Sequence, residues 1–226
     1  MKKKSLAITI GVLIIVVILG IISYIYLPKM LSDILYPLEY QEYIIKYSKE
    51  YNLDPYLVSG VIFTESHFNK DSVSRVGARG LMQIMPATGA TIAKRLDDST
   101  YTTDKLFDPE TNIRYGCWYL RYLMDNYNNE VNPTLAGYNG GGAVGDRYVV
   151  SREAGVPAET QGFIKKVNSA RDVYAKLYPN DLSSIAITEP SPTPNENVIE
   201  KMRINAGSNS TLEKIFSYFR KVIYGE

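Results

Sequence analysis

The chain opens with its longest apolar run. No residue from Leu6 to Leu27 is charged, and this run exceeds the roughly 20 residues that a membrane-spanning helix needs. Lys2 to Lys4 precede it, which predicts a cytoplasmic N-terminus by the positive-inside rule. A cleaved signal peptide has a shorter apolar region, of about 7–15 residues, so the sequence favours an uncleaved single-pass signal-anchor. With either reading, we expect the chain after Lys29 to lie outside the cytoplasmic membrane, in the extracellular or periplasmic space.

Beyond this run, apolar residues recur at helical spacing. Residues three or four apart share one face of a helix, so each such stripe predicts a helix that packs against a core. Alternating strand patterns are scarce, and only "SRVGARGLMQI", from residue 74, suits a short extended piece. The sequence therefore predicts a mainly α domain. The stripes are Tyr40, Ile44, Tyr47 and Tyr51; Ile113, Cys117, Leu120 and Met124; and Phe163, Val167, Ala170, Tyr174 and Leu177.

Proline marks three predicted helix starts. An Asp or Asn cap accepts hydrogen bonds from free N–H groups of the first turn, and proline at the first helical position lacks a donor that would be unpaired anyway. The predicted pairs are Asp54-Pro55, Asp108-Pro109 and Asn132-Pro133.

The composition changes after Pro179. Serine, proline and polar residues without helical period predict a linker, and the chain closes with a capping-box pattern at Ser210 and Glu213 followed by an apolar stripe. We expect four parts: a cytoplasmic stub and transmembrane anchor at 1–29, a helical domain at 30–180, a linker at 181–209 and an amphipathic C-terminal helix at 210–226. That helix could lie in the membrane interface, bind a partner protein or dock on the chain's own domain.

Composition excludes several classes of function. The charge is balanced, with 25 basic and 24 acidic residues, so no basic surface for nucleic acid is expected. Cys117 is the only cysteine and His67 the only histidine of the sequence. This excludes zinc sites built from several Cys and His ligands, but it does not exclude an ion site made of carboxylates alone. We expect no cofactor. The 19 tyrosines suit a cleft for a polar, ring-shaped ligand.

One glutamate lies on an apolar helix face. Glu65 follows Leu57 by eight residues, Val61 by four and Ile62 by three, and these offsets place all four on one side of the helix. Burial of an unpaired carboxylate raises its pKa, and a carboxyl that stays protonated near neutral pH is a general acid. The alternatives are a buried structural glutamate that accepts hydrogen bonds from the backbone, or a glutamate at the mouth of a crevice.

Two glycine-containing segments supply further candidates. "SRVGARGLMQIMPATG" offers Gln83 as a donor and acceptor and Met85 as an adaptable apolar contact. In "AGYNGGGAVG", Tyr138 and Asn139 stand directly before a glycine run. This pattern predicts a ligand wall on a flexible loop, or alternatively a helix that ends at the glycines.

Together these segments resemble the catalytic domain of the soluble-lytic-transglycosylase (SLT) family, over about residues 37 to 180. The motifs that carry the resemblance are "ES" at Glu65-Ser66, "GLMQIMP" from Gly80, "YN" at Tyr138-Asn139, and "AET" from Ala158 leading into "FIKKV". Any one of these is weak, but the four in this order are specific. Gly137 departs from the alanine that is usual in the family, and we expect it to make the loop more flexible.

The resemblance implies a lysozyme-like fold and cleavage of the MurNAc–GlcNAc β-1,4 bond of peptidoglycan glycan strands with formation of a 1,6-anhydroMurNAc end. It implies Glu65 as the single catalytic acid/base, because no acidic partner is evident nearby. The expected partners are thus glycan strands and, through the anchor, the membrane. The substrate-binding residues implied are Ser66, Ser74, Gln83, Met85, Tyr138, Asn139 and Glu159.

Two alternatives stay open. A hydrolase similar to goose-type lysozyme would share the fold and the acid, and a non-catalytic wall-binding module would share the cleft. The intact Glu65-Ser66 pair favours an enzyme over a binding module.

Overall fold

The computed structural model describes residues 2–182, which form eight α-helices and two short 3-10 helices. The helices are α1 (Lys2–Leu35), α2 (Gln41–Glu50), α3 (Pro55–Ser66), α4 (Pro86–Arg95), α5 (Pro109–Asn126), α6 (Val131–Gly140), α7 (Gly142–Ser151) and α8 (Ala158–Leu177). The predicted C-terminal helix and most of the predicted linker lie outside the described residues.

Helix α1 is the predicted apolar segment. It extends eight residues past Leu27, to Leu35. Its stretch Gly11–Leu35, in which 18 consecutive residues have a mean hydropathy of 2.5, is long and apolar enough to cross a membrane. The apolar side chains from Val12 to Leu27 are exposed, as expected for a surface that another apolar phase would cover. A signal sequence near the N-terminus can also be a long apolar helix, so both predicted readings of this segment remain.

The domain that follows α1 is mainly α, as the apolar stripes predict. Within residues 2–182 no β-strand is present, and the extended piece suggested by the sequence consists of isolated bridges from Arg79 to Val73 and to Ile84. Helix α3 packs most extensively on α8, and both helices contribute buried residues to the core, among them Val61 and Val167. One expectation is wrong at a helix end: Leu177 is exposed, because the buried face of α8 ends one turn earlier at Tyr174.

The predicted helix starts are confirmed in two cases of three. Asp54 accepts from the Tyr56 N–H and Asp108 from the Thr111 N–H. The third is wrong, because α6 begins at Val131 and the Asn132 side chain instead accepts a hydrogen bond from Asn168. Pro133 is tolerated there because the first-turn N–H groups of a helix have no intrahelical partner.

An aromatic cluster joins the end of α1 to the domain. We call Tyr36, Phe63, Tyr174 and Tyr178 the Tyr36 cluster. The ring of Tyr36 stacks on Phe63 at 4.9 Å and meets Tyr174 edge-on at 6.1 Å. The Tyr178 hydroxyl contacts Asp33 Oδ1 at 3.1 Å and donates to the Tyr36 carbonyl oxygen at 2.8 Å. Because Phe63 lies on α3, the C-terminal end of α1 is packed against the helix that carries Glu65.

Candidate active site

Glu65 lies in the last turn of α3, one residue before the helix ends at Ser66. Its side chain is partly buried, and burial raises the pKa of the Glu65 carboxyl to about 8. The nearby C-terminal end of the helix dipole also disfavours a negative charge. The raised pKa predicted from the apolar stripe is therefore confirmed, and the carboxyl is mostly protonated at neutral pH.

The segment between α3 and α4 forms a compact loop beside Glu65. Ser74 shapes a tight turn, since its Oγ accepts from the Ala78 N–H at 3.0 Å and its own N–H donates to the Ala78 carbonyl oxygen. The Gln83 side-chain amide donates to the carbonyl oxygens of Ser72 and Gly80 at 3.1 and 2.8 Å. Both amide hydrogens of Gln83 thus bind the loop, which leaves Gln83 Oε1 as the group that can face a ligand.

Met85 and Ser66 lie at the two ends of this arrangement. Met85 is partly buried at the N-terminal cap position of α4. Ser66 is only 7% exposed, and its Oγ contacts the carbonyl oxygens of Leu81 at 2.8 Å and Ile62 at 3.1 Å. The structure therefore buries Ser66 beneath the loop, which it attaches to α3. This position corresponds to support of the site and not to the substrate contact that the resemblance implies.

Tyr138 and Asn139 belong to α6, not to a flexible loop. Helix α6 continues to Gly140, and Gly141 ends it with φ of 81°, a conformation that favours glycine. The alternative reading of the glycine run, as a helix terminator, is the correct one. The Tyr138 hydroxyl donates to the Met82 carbonyl oxygen at 2.8 Å, which ties the end of α6 to the loop.

The side chain of Tyr138 shares its surroundings with Glu65. Burial, and then the charge of Glu65, raise the pKa of the Tyr138 hydroxyl well above its usual value. This phenol therefore stays neutral. The ends of α3 and α6 converge on one site, because Ser66 and Tyr138 bind the adjacent carbonyl oxygens of Leu81 and Met82. Tyr138 also packs against Tyr119 and Phe163, with ring centroids 5.4 and 6.5 Å apart.

Gly137 has a packing role instead of the expected flexibility. It is buried inside α6, and a Cβ at this position would come within 3.1 Å of the Tyr127 ring and 3.3 Å of Leu123. The absence of a side chain lets α6 approach these residues closely. The departure from alanine therefore changes helix packing and leaves the Tyr138 position within a regular helix.

The first turn of α8 completes the site. Thr160 is 3% exposed, and its Oγ1 donates to Asn139 Oδ1 at 2.8 Å. Glu159, its neighbour, is exposed in the same turn. The structure thus brings the "AET" segment to the end of α6, on the same side of the domain as the loop and Glu65.

Two residues of this site escaped the sequence analysis. Asn112 is fully buried on α5, and its Oδ1 accepts from the Met82 N–H at 2.7 Å. The signal was present, because Asn112 precedes Gly116 by four residues and Leu120 by eight and so lies on the buried face, by the same argument that selected Glu65. Thr160 lay within the "AET" motif, but nothing in the sequence pattern indicated a role for it.

Two surface cavities lie elsewhere. One, of about 650 Å³, lies beside α2 and α5, and its Lys46 is paired with Glu110 at 2.6 Å. The other, of about 430 Å³, is lined by Arg171, which is paired with Asp54 at 2.6 Å. Neither is lined by Glu65. In the described residues, no group of three or more His, Cys, Asp or Glu side chains could hold a metal ion.

A partly buried acid at the end of a core helix, next to a loop that is joined by hydrogen bonds to α6 and through α6 to α8, suits a lysozyme-like site. The family model described as "Transglycosylase SLT domain" matches residues 42–155, just over half of the chain. The chain therefore belongs to the SLT-domain transglycosylase family.

Similar proteins carry related names. The chain is 42% identical over 104 residues to a transglycosylase of Enterobacteria phage PRD1, which covers 46% of this chain and 36% of that protein. It is 31% identical over 157 residues to the soluble lytic murein transglycosylase of Escherichia coli (strain K12), covering 65% of this chain and 24% of that protein. It is 31% identical over 169 residues to membrane-bound lytic murein transglycosylase C of Actinobacillus pleuropneumoniae serotype 5b (strain L20). This match covers 62% of this chain and 46% of that protein.

Solved structures show the same fold. The 70 kDa soluble lytic transglycosylase of Escherichia coli matches with a TM-score of 0.59 and 27% identity, over 68% of this chain and 27% of that chain. The lytic transglycosylase Slt of Pseudomonas aeruginosa matches with a TM-score of 0.61 and 25% identity, over 64% of this chain and 25% of that chain. The fold is thus mainly α and lysozyme-like. The chain spans between about a quarter and a half of the length of the curated relatives above.

Proposed function

We propose that this protein is a lytic transglycosylase that cleaves the MurNAc–GlcNAc β-1,4 bond of peptidoglycan and forms 1,6-anhydroMurNAc ends. The observation that carries the proposal is Glu65, a single carboxyl whose pKa is raised to about 8 by burial. At neutral pH such a group is mostly protonated and can donate to a leaving oxygen.

In the first step, Glu65 protonates the glycosidic oxygen as the bond from C1 of MurNAc to that oxygen breaks. The GlcNAc end leaves as a free hydroxyl, and the positive charge that develops at C1 is stabilised by the substrate's own N-acetyl group, as in glycosidases with substrate assistance. Glu65 is then an ionised carboxylate beside the MurNAc ring.

In the second step, the 6-hydroxyl of the same MurNAc attacks C1 while Glu65 takes up its proton. A bond forms between O6 and C1, and the enzyme returns to its protonated state. Because the nucleophile is tethered to the electrophile, no water has to be positioned and the entropic cost is low. One carboxyl group therefore suffices for the complete reaction.

The other acidic groups nearby support a mechanism with one carboxyl. A glycosidase of the usual kind needs two carboxyl groups that flank the bond. Asp71, the nearest acidic residue downstream, is exposed and paired with Lys70 at 2.9 Å. Glu159 is exposed at the start of α8 and is better suited to bind sugar hydroxyls than to act as a buried nucleophile.

We assign the substrate-binding roles by the groups left free at the cleft. Gln83 offers its side-chain oxygen as an acceptor, and Asn139 offers its side-chain nitrogen as a donor, because their other polar atoms bind the protein. Ser74 retains a hydroxyl proton, since its oxygen accepts from the backbone. Met85 and the ring of Tyr138 provide partly buried apolar contacts.

The relatives support the same reaction. Those from Escherichia coli and Actinobacillus pleuropneumoniae are named lytic murein transglycosylases, and murein is peptidoglycan. The structure from Pseudomonas aeruginosa is described as an inactive mutant in which a glutamate is replaced by glutamine. An essential glutamate in that enzyme agrees with the role proposed for Glu65.

The experiment that tests the function is mass spectrometry of the products. The full chain, purified in detergent, is incubated with purified peptidoglycan, with Glu65→Gln as the matched control. Anhydro ends that form only with the wild-type protein support the proposal. Reducing ends would instead identify a hydrolase of the goose-type-lysozyme kind, and binding without products would identify a wall-binding module.

We further propose that α1 anchors the protein in the cytoplasmic membrane, with the N-terminus in the cytoplasm and the domain outside. The support comes from the length and exposure of α1, from the contact of Asp33 near its end with Tyr178 of the domain, and from the relative named as membrane-bound. Fractionation of cells tests this topology. The protein should remain in alkali-washed membranes at its full mass, whereas a shorter soluble form would indicate a cleaved signal peptide.

A further inference from the structure

One peptide unit of the loop is held from opposite sides by two helices. The carbonyl oxygen of Leu81 accepts from Ser66 Oγ of α3 at 2.8 Å, and the N–H of Met82 donates to Asn112 Oδ1 of α5 at 2.7 Å. The next carbonyl, of Met82, accepts from the Tyr138 hydroxyl of α6 at 2.8 Å. Three consecutive backbone groups therefore bind three side chains, each from a different helix.

Asn112 makes more of these contacts than any other side chain at this junction. It is fully buried, and besides accepting from Met82 it donates to the carbonyl oxygens of Arg79 at 2.9 Å and Leu106 at 2.7 Å. Its two donors and one acceptor are thus all used on backbone groups. Buried polar groups that are fully paired fix a single local geometry, whereas loss of one partner leaves the others unsatisfied.

Two glycines let the loop approach α5 closely. Gly80 has φ of 78°, and a Cβ there would clash with Asn112 Nδ2. One turn further along α5, a Cβ at Gly116 would clash with the sulfur of Met82. Asn112 and Gly116 therefore form one face of α5, which binds the backbone of Met82 at one position and accommodates its side chain at the other.

We propose that Asn112 is a positioning residue of the active site, which acts through the main chain of Met82 on Tyr138. Asn112 fixes the plane of the Leu81–Met82 peptide, and this plane directs the Met82 carbonyl oxygen to the Tyr138 hydroxyl. The ring of Tyr138 is thereby held at the same peptide to which Ser66, the neighbour of Glu65, is bound. This inference deepens the proposed function and rests on it.

The residue type matters because one short side chain must supply an acceptor for the Met82 N–H and two donors for the carbonyl oxygens of Arg79 and Leu106. Leucine has a similar size but none of these groups, and aspartate keeps the acceptor but places a carboxylate against the carbonyl oxygens of Arg79 and Leu106. Both substitutions should release the loop while the helical core stays intact. A displacement of about 1 Å at such a site can cost about 100-fold in rate.

A double-mutant cycle tests the route through Tyr138. Asn112→Leu and Asn112→Asp are made in the full chain, alone and together with Tyr138→Phe, and the formation of anhydro ends gives kcat and KM. We expect each substitution alone to lower kcat by about tenfold or more, with a smaller change in KM. In the Tyr138→Phe background the same substitution should cost clearly less, because the hydroxyl to be positioned is gone. Additive losses would overturn the proposal.

A control separates positioning from stability. Ile44→Ala removes a fully buried side chain of α2, a helix that contributes no residue to the site. It should lower Tm at least as much as the Asn112 variants while kcat stays within about twofold, since Ile44 supplies none of the hydrogen bonds that fix the loop. If Asn112→Leu does not fold, Asn112→Asp and Ser66→Ala perturb the same peptide unit and enter the same cycle. A loss of kcat that follows Tm across all variants would contradict the proposal.

Hydrogen exchange gives a readout that does not depend on turnover. The amides of Arg79 to Ile84 should exchange faster in the Asn112 variants, whereas amides in the centres of α3 and α8 should keep their protection. If the wild-type protein forms no anhydro ends, the proposed function fails and exchange alone decides the positioning role. Unchanged protection of the loop in a folded Asn112 variant would overturn it.

Discussion

Thr160 Oγ1 donates a hydrogen bond of 2.8 Å to Asn139 Oδ1 and so joins the first turn of α8 to the last turn of α6. Thr160 is buried while Asn139 is exposed. The bond fixes which end of the Asn139 amide faces the protein, and its nitrogen is left to donate to a ligand.

Removal of this bond should weaken the binding of substrate. Thr160→Val keeps the shape of the side chain, but Asn139 loses its hydrogen-bond partner and its amide can rotate. We therefore expect KM to rise by about five- to tenfold, which corresponds to the loss of about one neutral hydrogen bond. Thr160→Ser retains the hydroxyl and is the matched control. Steady-state kinetics on defined glycan fragments measures both, and equal effects of valine and serine would show that the methyl group and not the hydroxyl matters.

Glu65→Gln should abolish turnover and stabilise the fold. Glutamine keeps the shape but cannot protonate the glycosidic bond, so activity should fall to a few per cent or less. Above about pH 8, the wild-type protein has to keep a charged carboxylate in a partly buried site, whereas glutamine is always neutral. Thermal unfolding should therefore show a higher Tm for Glu65→Gln at pH 8 than for the wild type, and a lower Tm would contradict the assignment of a desolvated carboxyl.

The pH dependence of stability follows from the same pKa. The Glu65 carboxyl titrates at about 8 in the folded protein, above its usual value of 4.5. The folded state therefore holds a proton that the unfolded state has lost, and this contribution is fully present below pH 4.5 and is lost as the pH rises to about 8. Each pKa unit of difference corresponds to about 1.4 kcal/mol. The unfolding free energy of the wild type should therefore fall relative to that of Glu65→Gln between pH 4.5 and 8.5, because glutamine does not titrate.

Activity should depend on the same proton. The free enzyme must enter the reaction with Glu65 protonated, so kcat/KM should decline as the pH rises through about 8. Measurement of kcat/KM on solubilised glycan strands over a series of pH values tests this decline. Circular dichroism at each pH shows whether the protein stays folded. Full activity at pH 9.5 would mean that Glu65 does not act as the acid.

Tyr138→Phe should lower both turnover and stability. The substitution leaves the Met82 carbonyl oxygen without its partner, and an unsatisfied buried acceptor costs about 1–3 kcal/mol. In a chain of this size each kcal/mol lowers Tm by about 2–4 °C. Differential scanning calorimetry and the product assay measure the two effects, and an unchanged Tm would mean that the hydroxyl has no structural partner in solution.

Much of the helical domain could be predicted because its helices bury one regular face each. The stripe that ends at Glu65 predicted both the helix and the raised pKa, and the Asp-Pro pairs at 54 and 108 predicted two helix starts. These are local features, in which each signal and its consequence lie within a few residues.

The remaining parts depend on contacts between distant segments. The glycine run after Asn139 allows either a loop or a helix end, and only the packing of α6 against Tyr127 and Met82 selects the helix. Ser66 could face the cleft or the core by its position alone, and its bond to the Leu81 carbonyl decides this. Such pairings join residues of separate elements, so the sequence pattern of either element alone does not contain them.

The Tyr36 cluster has a consequence for where in the cell wall the enzyme can act. With α1 in the membrane as proposed, the domain follows the helix without a slack segment, because Tyr178 and Tyr174 donate to the carbonyl oxygens of Tyr36 and Pro37 at 2.8 Å. The cleft is then held at one height and one tilt above the bilayer. Cuts should be confined to a thin layer of glycan strands at that height, and strands further out would stay intact however long the protein is present.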